Sequence, residues 1–214
     1  MKRGLFISFE GSEGCGKSTQ ISLLRERFEA AGQHTLLLRE PGGTTLGEQV
    51  RALLLQHPDD GAAMTPEAEL LLFAASRAQL VREKITPAVD AGTHVIADRF
   101  LDSTTVYQGF GRGLDLIAVS QINSFAVGAR QPDVTFLLDM DAAAAHARAH
   151  ERSGGQLDRM ESEPAAFYEK VREGYLQVAR EAPRRIVVLD ATEPPDALAE
   201  SIWATVQARL TALS

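Results

Sequence analysis

The run Gly11-Ser12-Glu13-Gly14-Cys15-Gly16-Lys17-Ser18 fits the spacing G-x-x-x-x-G-K-[ST], which is built to hold a nucleoside triphosphate. Its glycines let backbone N–H groups turn inward around phosphate oxygens, and a helix starting at its end adds unpaired donors and a favourable dipole. In that arrangement Lys17 reaches the β and γ phosphates, Ser18 offers its hydroxyl to Mg2+, and Thr19 stands beside it. Asp98 follows the apolar run His94-Val95-Ile96-Ala97, where open α/β sheets place ligand residues. It is a candidate Mg2+ carboxylate, or else a cap on the turn that follows.

Three arginines are candidates for holding a second phosphate. Arg39 follows one apolar run, Arg99 follows Asp98, and Arg77 lies on a helical stretch near Phe73. A guanidinium fits phosphate oxygens in a fork that lysine cannot copy. Cys15, the only cysteine, has two readings: a thiol activated by nearby helix donors, alkylated in a way that ATP slows, or a small buried spacer. His146 and His150 stand one helical turn apart without an obvious third ligand, which reads as a solvated face.

These residues need a scaffold, and the chain supplies the pattern for one. Short aliphatic runs alternate with longer stretches of helical period, which predicts an α/β fold: a five-stranded parallel sheet with helices on both faces, in one domain over residues 1–214. The strands are expected at Leu5–Phe9, Thr35–Leu38, His94–Ala97, Val134–Leu138 and Ile186–Leu189. Ile21, Leu24 and Phe28 share one helix face, and Leu198, Ile202 and Val206 share another on a helix opened by Pro194-Pro195. Gln108 to Gly113 is too glycine-rich for a helix and reads as a loop. Ser153-Gly154-Gly155-Gln156, flanked by Arg148, Arg152, Asp158 and Arg159, reads as a small mobile lid over about 148–163.

A net charge of −7 and a pI near 5.3 argue against binding nucleic acid or a membrane through the overall field. The N-terminal apolar run soon meets Glu10 and a glycine turn, unlike a signal peptide or membrane span. One cysteine permits neither an internal disulfide nor a cysteine zinc site, and a cytoplasmic location is expected.

The sequence resembles the bacterial thymidylate kinases, P-loop enzymes of the nucleoside monophosphate kinase type, over essentially its whole length. The matching segments are Phe9-Glu10-Gly11, Arg39-Glu40-Pro41-Gly42-Gly43-Thr44, Phe73-Ala74-Ala75-Ser76-Arg77, Asp98-Arg99-Phe100 and Ser103-Thr104-Thr105-Val106-Tyr107-Gln108-Gly109. Pro132-Asp133-Val134-Thr135, Leu157-Asp158-Arg159-Met160-Glu161 and Asp190-Ala191-Thr192 add to them.

The resemblance implies ATP-dependent phosphorylation of dTMP with Mg2+, by a homodimer. It stacks Phe73 on the thymine ring, places Arg77, Gln108 and Thr104 on the thymine edge and Arg99 with Arg39 on the acceptor phosphate, and counts Pro41 and Ser103 among the dTMP-binding residues. Glu13 would meet the 3′-hydroxyl, and Tyr107 would block a ribose 2′-hydroxyl. Thr192 and Arg159 would lie near ATP. The glycine turn carries no arginine, so the lid is expected to supply the extra catalytic one, Arg152 first or Arg148. Two departures are a longer spacing through Ser153-Gly154-Gly155-Gln156 and Val106 where the family usually has alanine. Rival readings are a uridylate or adenylate kinase, which shares the chemistry, and a GTPase-type switch, against which stands the lack of an Asn-Lys-x-Asp run.

Overall fold

The computed structural model describes residues 3–56, 63–153, 158–160 and 162–213. Five strands, β1 (Phe6–Glu10), β2 (Thr35–Arg39), β3 (His94–Asp98), β4 (Val134–Asp139) and β5 (Ile186–Asp190), form one parallel sheet in the order β2-β3-β1-β4-β5. Every strand ends one residue later than hydropathy predicts. The polar residues Glu10, Arg39, Asp98, Asp139 and Asp190 still pair in register with a neighbouring strand, because backbone bonding continues where side-chain burial stops. β1 also starts one residue late, since the Leu5 N–H donates to His94 Nδ1 at 2.9 Å.

The connections are α1 (Lys17–Ala30), α2 (Thr45–Leu55), α3 (Pro66–Leu80), α4 (Thr86–Asp90), α5 (Leu101–Thr104), α6 (Leu116–Val127), α7 (Ala142–Ser153), α8 (Ala165–Glu181) and α9 (Pro195–Ala212). π-Helical turns at Val81–Ile85 and Thr105–Gly111 interrupt them. Side-chain alternation along the strands covers both faces of the sheet. Leu5, Ile7 and Phe9 pack with Leu24 and Phe28 of α1 and Ile202 of α9, while Phe6, Val95 and Ala97 pack with Leu80, Val81 and Ile85.

The expected loop at Gln108–Gly113 is instead largely the second π-helical turn. Its glycines serve packing: a Cβ on Gly109 would come within 2.5 Å of Leu116 Cδ2, and one on Gly111 within 2.6 Å of the Phe167 ring. Composition reads such glycines as loop because it does not see the partners that require them. The first part of the expected lid, 148–153, continues α7 as helix. The side chains of Arg152 and Ser153, the run 154–157 and residue 161 lie outside the described residues, so the sequence expectations for the lid's centre and for Arg152 fall there. Among the described residues, no helix is long and apolar enough to cross a membrane.

Candidate active site

Parallel strands bring their C-terminal ends to one edge, so Glu10, Arg39 and Asp98 converge beside the turn after β1. That turn is left-handed at Gly14, with φ 80°, and a Cβ there would collide with the Ala145 carbonyl of α7. α1 is preceded by Gly16 as its N-cap, with no side-chain cap and no acid in the first turn. Its leading N–H groups are therefore left for an anion. Ser18 and Thr19 are exposed in that first turn. Lys17 is buried, and its Nζ donates to the carbonyls of Gly11 at 3.1 Å and Ser12 at 3.0 Å. Burial and then the charge of Arg99 work against its charge, but the Cys15 sulfur, Glu13 and Asp98 outweigh them and hold the ammonium above the usual lysine range.

Cys15 itself is buried in the core with Phe9 and Leu138, which favours the spacer reading over the reactive thiol. Asp98 carries a buried Oδ1 without a hydrogen-bond partner. An orphaned acceptor of this kind next to a phosphate-binding turn suits a hard cation better than a turn cap.

Arg99 joins the glycine turn to the neighbouring cleft. Its backbone is left-handed, φ 68°, the only such non-glycine residue among those described. The strained backbone swings its guanidinium back over the turn. Nη2 donates to Glu13 Oε1 at 2.7 Å and to the Tyr107 hydroxyl at 3.3 Å, and Nη1 to the hydroxyls of Ser103 and Tyr175, both at 3.1 Å. Beneath it Glu10 is fully buried, accepting from the Phe100 N–H at 2.8 Å, the Ser103 hydroxyl at 2.6 Å and the Tyr175 hydroxyl at 2.9 Å. Burial first, then the nearby Asp102, push the Glu10 carboxyl up to about 7. Glu10 and Tyr175 therefore shape the site by fixing Arg99, and neither was expected from the sequence as a site residue.

The cleft beside Arg99 is lined by Glu13, Pro41, Phe73, Ser103, Thr104, Tyr107 and Gln108, all expected from the sequence. Arg51, Asp158, Met160 and Tyr168 also line it. Arg51 was missed, although Gly47, Arg51 and the buried Leu54 share one face of α2. A cation in an inward stripe was the available signal. Its Nη1 donates to the Pro41 carbonyl at 3.1 Å. Burial, then the charge of Arg39, lower its pKa, and an added anion would relieve that repulsion.

Arg39, Arg77 and Arg159 are not among the residues that line the cleft. Arg39 pairs with Glu48 at 2.9 Å, its side chain 57% exposed. Arg77 does not line the cleft. It is fully buried behind it, its Nε 2.8 Å from Glu40 Oε2, Nη1 2.8 Å from Asn123 Oδ1 and Nη2 2.8 Å from Thr104 Oγ1. Arg159, expected near the triphosphate, pairs instead with Glu69 at 2.7 Å and donates to the Leu54 carbonyl at 2.7 Å. The buried Glu69 carboxylate demands that compensation. Thr192 folds back onto Asp190 at the end of β5, and Arg148, His146 and His150 are exposed on α7.

Comparison with known proteins agrees with this geometry. The profile of the family described as thymidylate kinase matches residues 9–202. A thymidylate kinase of Trichlorobacter lovleyi is 47% identical over 210 residues, covering 96% of this chain and 98% of that protein. One from Deinococcus radiodurans is also 47% identical, covering 98% and 99%. The crystal structure of thymidylate kinase from Ehrlichia chaffeensis superposes with a TM-score of 0.74 at 32% identity, covering 96% of this chain and 99% of that one.

Proposed function

Because the chain belongs to the thymidylate kinase family, whose members move the γ-phosphoryl group of ATP onto dTMP, we propose that Lys17 and Arg99 are its principal catalytic cations. One observation carries this reading. Arg99 lines the acceptor cleft and also hydrogen-bonds Glu13 inside the glycine turn, so both phosphate chains share one wall.

A monophosphate is already largely dianionic at neutral pH, with a second pKa of about 6, so no general base is needed. The residues must instead align two anions that repel each other and neutralise charge on the transferring group. The free N–H groups at the start of α1 and Lys17 hold the triphosphate, while Arg99 and Arg51 draw in the acceptor phosphate. α7 packs on Gly14 through Ala145 and Ala149, which supports carrying a further cation, Arg152 or Arg148, over the triphosphate. Asp98 Oδ1 and the Ser18 hydroxyl fit Mg2+, which when bound supplies charge neutralisation to the phosphates.

On the acceptor side Phe73 forms an apolar wall for the base, and Tyr107 closes the sugar end. Thr104 Oγ1 accepts from Arg77, so its own proton is available to a carbonyl oxygen of the base. With ATP and Mg2+, dTMP is expected to be the best acceptor in a panel with dUMP, UMP and AMP. UMP and AMP should fall about a hundredfold or more behind it, since each leaves buried polar groups unpaired or clashes. Equal turnover of UMP or AMP would reject this acceptor assignment.

The same reading includes a homodimer formed through α3 and α6, where Leu71, Ile117 and Phe125 are 57%, 68% and 84% exposed. Sedimentation should give about twice the chain mass for the wild type and the single-chain mass for Phe125→Asp, because a carboxylate at the centre of such a face loses its hydration on pairing. Wild type sedimenting as a monomer would rule the dimer out. The lone buried cysteine fits a cytoplasmic setting.

A further inference from the structure

The base end of the cleft is backed by a buried carboxylate to which the reaction scheme assigns no part. Glu69, on α3, is 1% exposed. Its Oε1 accepts from Gln108 Nε2 at 2.8 Å and from Arg112 Nε at 3.0 Å. Its Oε2 takes Arg112 Nη2 at 3.2 Å and Arg159 Nη2 at 2.7 Å. Burial raises the Glu69 carboxyl, but hydrogen bonds from Arg112, Gln108 and Arg159 outweigh it and hold the group below the usual range. It is therefore ionised and accepts only, so the Gln108 atom that meets it must be the N–H2 end.

An amide has two ends, and fixing one fixes the other. With Nε2 committed to Glu69, the Gln108 atom left for the cleft it lines is Oε1, an acceptor that takes no hydrogen bond among the described residues. We propose that Glu69 is a specificity-determining positioning residue, which locks the Gln108 amide so that the cleft accepts a base presenting an N–H at that edge and rejects one presenting a bare ring nitrogen. The inference rests on the reading of the cleft as the dTMP site. Thymine carries an N–H at position 3 flanked by carbonyl oxygens, whereas cytosine has an unprotonated N3 beside an amino group. The first pairs with the Gln108 carbonyl and the Thr104 hydroxyl. The second sets acceptor against acceptor and donor against donor.

The test compares kcat/KM for dTMP and dCMP in wild type, Glu69→Gln, and the double variant Glu69→Gln with Gln108→Glu. A glutamine at 69 presents either end, which frees the Gln108 amide to rotate. The dTMP-to-dCMP ratio is expected to fall at least about tenfold in Glu69→Gln. The double variant puts an obligate acceptor at 108 facing an amide at 69, and the ratio should return to within about threefold of wild type. Loosening of Arg112 and Arg159 alone would lower both substrates together and leave the ratio unmoved, and that result overturns the proposal. Should Glu69→Gln not fold, 3-methyl-dTMP with the wild type decides: about a hundredfold loss supports an acceptor at 108, and unchanged use overturns it. Wild type inactive on dTMP defeats the acceptor assignment itself, whereas an active wild type with an unmoved ratio defeats only the role of Glu69.

Discussion

Arg99→Ala is expected to lower kcat/KM for dTMP by roughly a thousandfold to ten-thousandfold, with most of the loss in kcat. The side chain is half-buried, with Glu13, Ser103, Tyr107 and Tyr175 around its nitrogens, and its guanidinium lies over the Tyr107 ring at 5.1 Å. Burial opposes its charge, but Tyr107, Glu13 and Tyr175 favour it, and its pKa lies well above the ordinary arginine value. It is therefore a permanent cation, held rigid before any substrate arrives, at the junction of the two phosphate chains. Preorganised charge of this kind acts most strongly where negative charge builds up in the transition state. Alanine also removes the guanidinium that pairs with Glu13 at 2.7 Å, so that carboxylate is less neutralised toward incoming phosphate, which adds repulsion to the lost attraction. Arg99→Lys should recover only a small part of the loss, because one ammonium cannot span the same four partners. Thermal melting separates this effect from misfolding, since alanine at φ 68° retains the backbone strain that arginine already carries. A kcat/KM within about tenfold of wild type would remove Arg99 from the catalytic centre.

The legible parts of this molecule are those whose physics is local. Five aliphatic runs predict five strands, since a parallel sheet buried on both faces needs continuous apolar stretches. The glycine turn is likewise legible, because backbone conformation, lysine and hydroxyl all lie within residues 11 to 18. Glu10 and Glu69 were not legible as site residues, because what defines each is a partner far along the chain. Glu10 acquires its character from Ser103 and from Tyr175, 165 residues away, and Glu69 from Gln108 and Arg159. Arg39, Arg77 and Arg159 show the converse. Type and position beside a candidate site suggest a phosphate or base contact, and the pairing of each with Glu48, Glu40 or Glu69 is not visible in the sequence. An arginine goes to the carboxylate that burial leaves most in need of a cation, and hydropathy along one chain does not reveal which carboxylate that is.

Arg77 makes that rule measurable in stability. Replacing it with alanine should cost about 3–5 kcal/mol, because the change removes one side of a buried ion pair and leaves the other in place. Arg77 and Glu40 are 1% and 3% exposed and meet at 2.7 Å, and Asn123 and Thr104 each lose a hydrogen-bond donor at the same time. Burial pushes the Glu40 carboxyl up and Arg77 alone opposes it, while Glu40 Oε1 already lacks a partner. Without the guanidinium the pKa of folded Glu40 rises further above its unfolded value, so folded protein holds a proton that unfolded protein releases. Stability from that proton is present at low pH and is lost as pH rises toward the folded pKa. The penalty in Arg77→Ala should therefore be larger at about pH 8 than at about pH 5.5, as read from denaturant midpoints at the two values. Adding Glu40→Gln to Arg77→Ala removes the stranded charge and should restore about half the lost stability at the higher pH, with little change at the lower. A penalty that is equal at both pH values would mean that Glu40 stays ionised and that water or another group takes the place of Arg77.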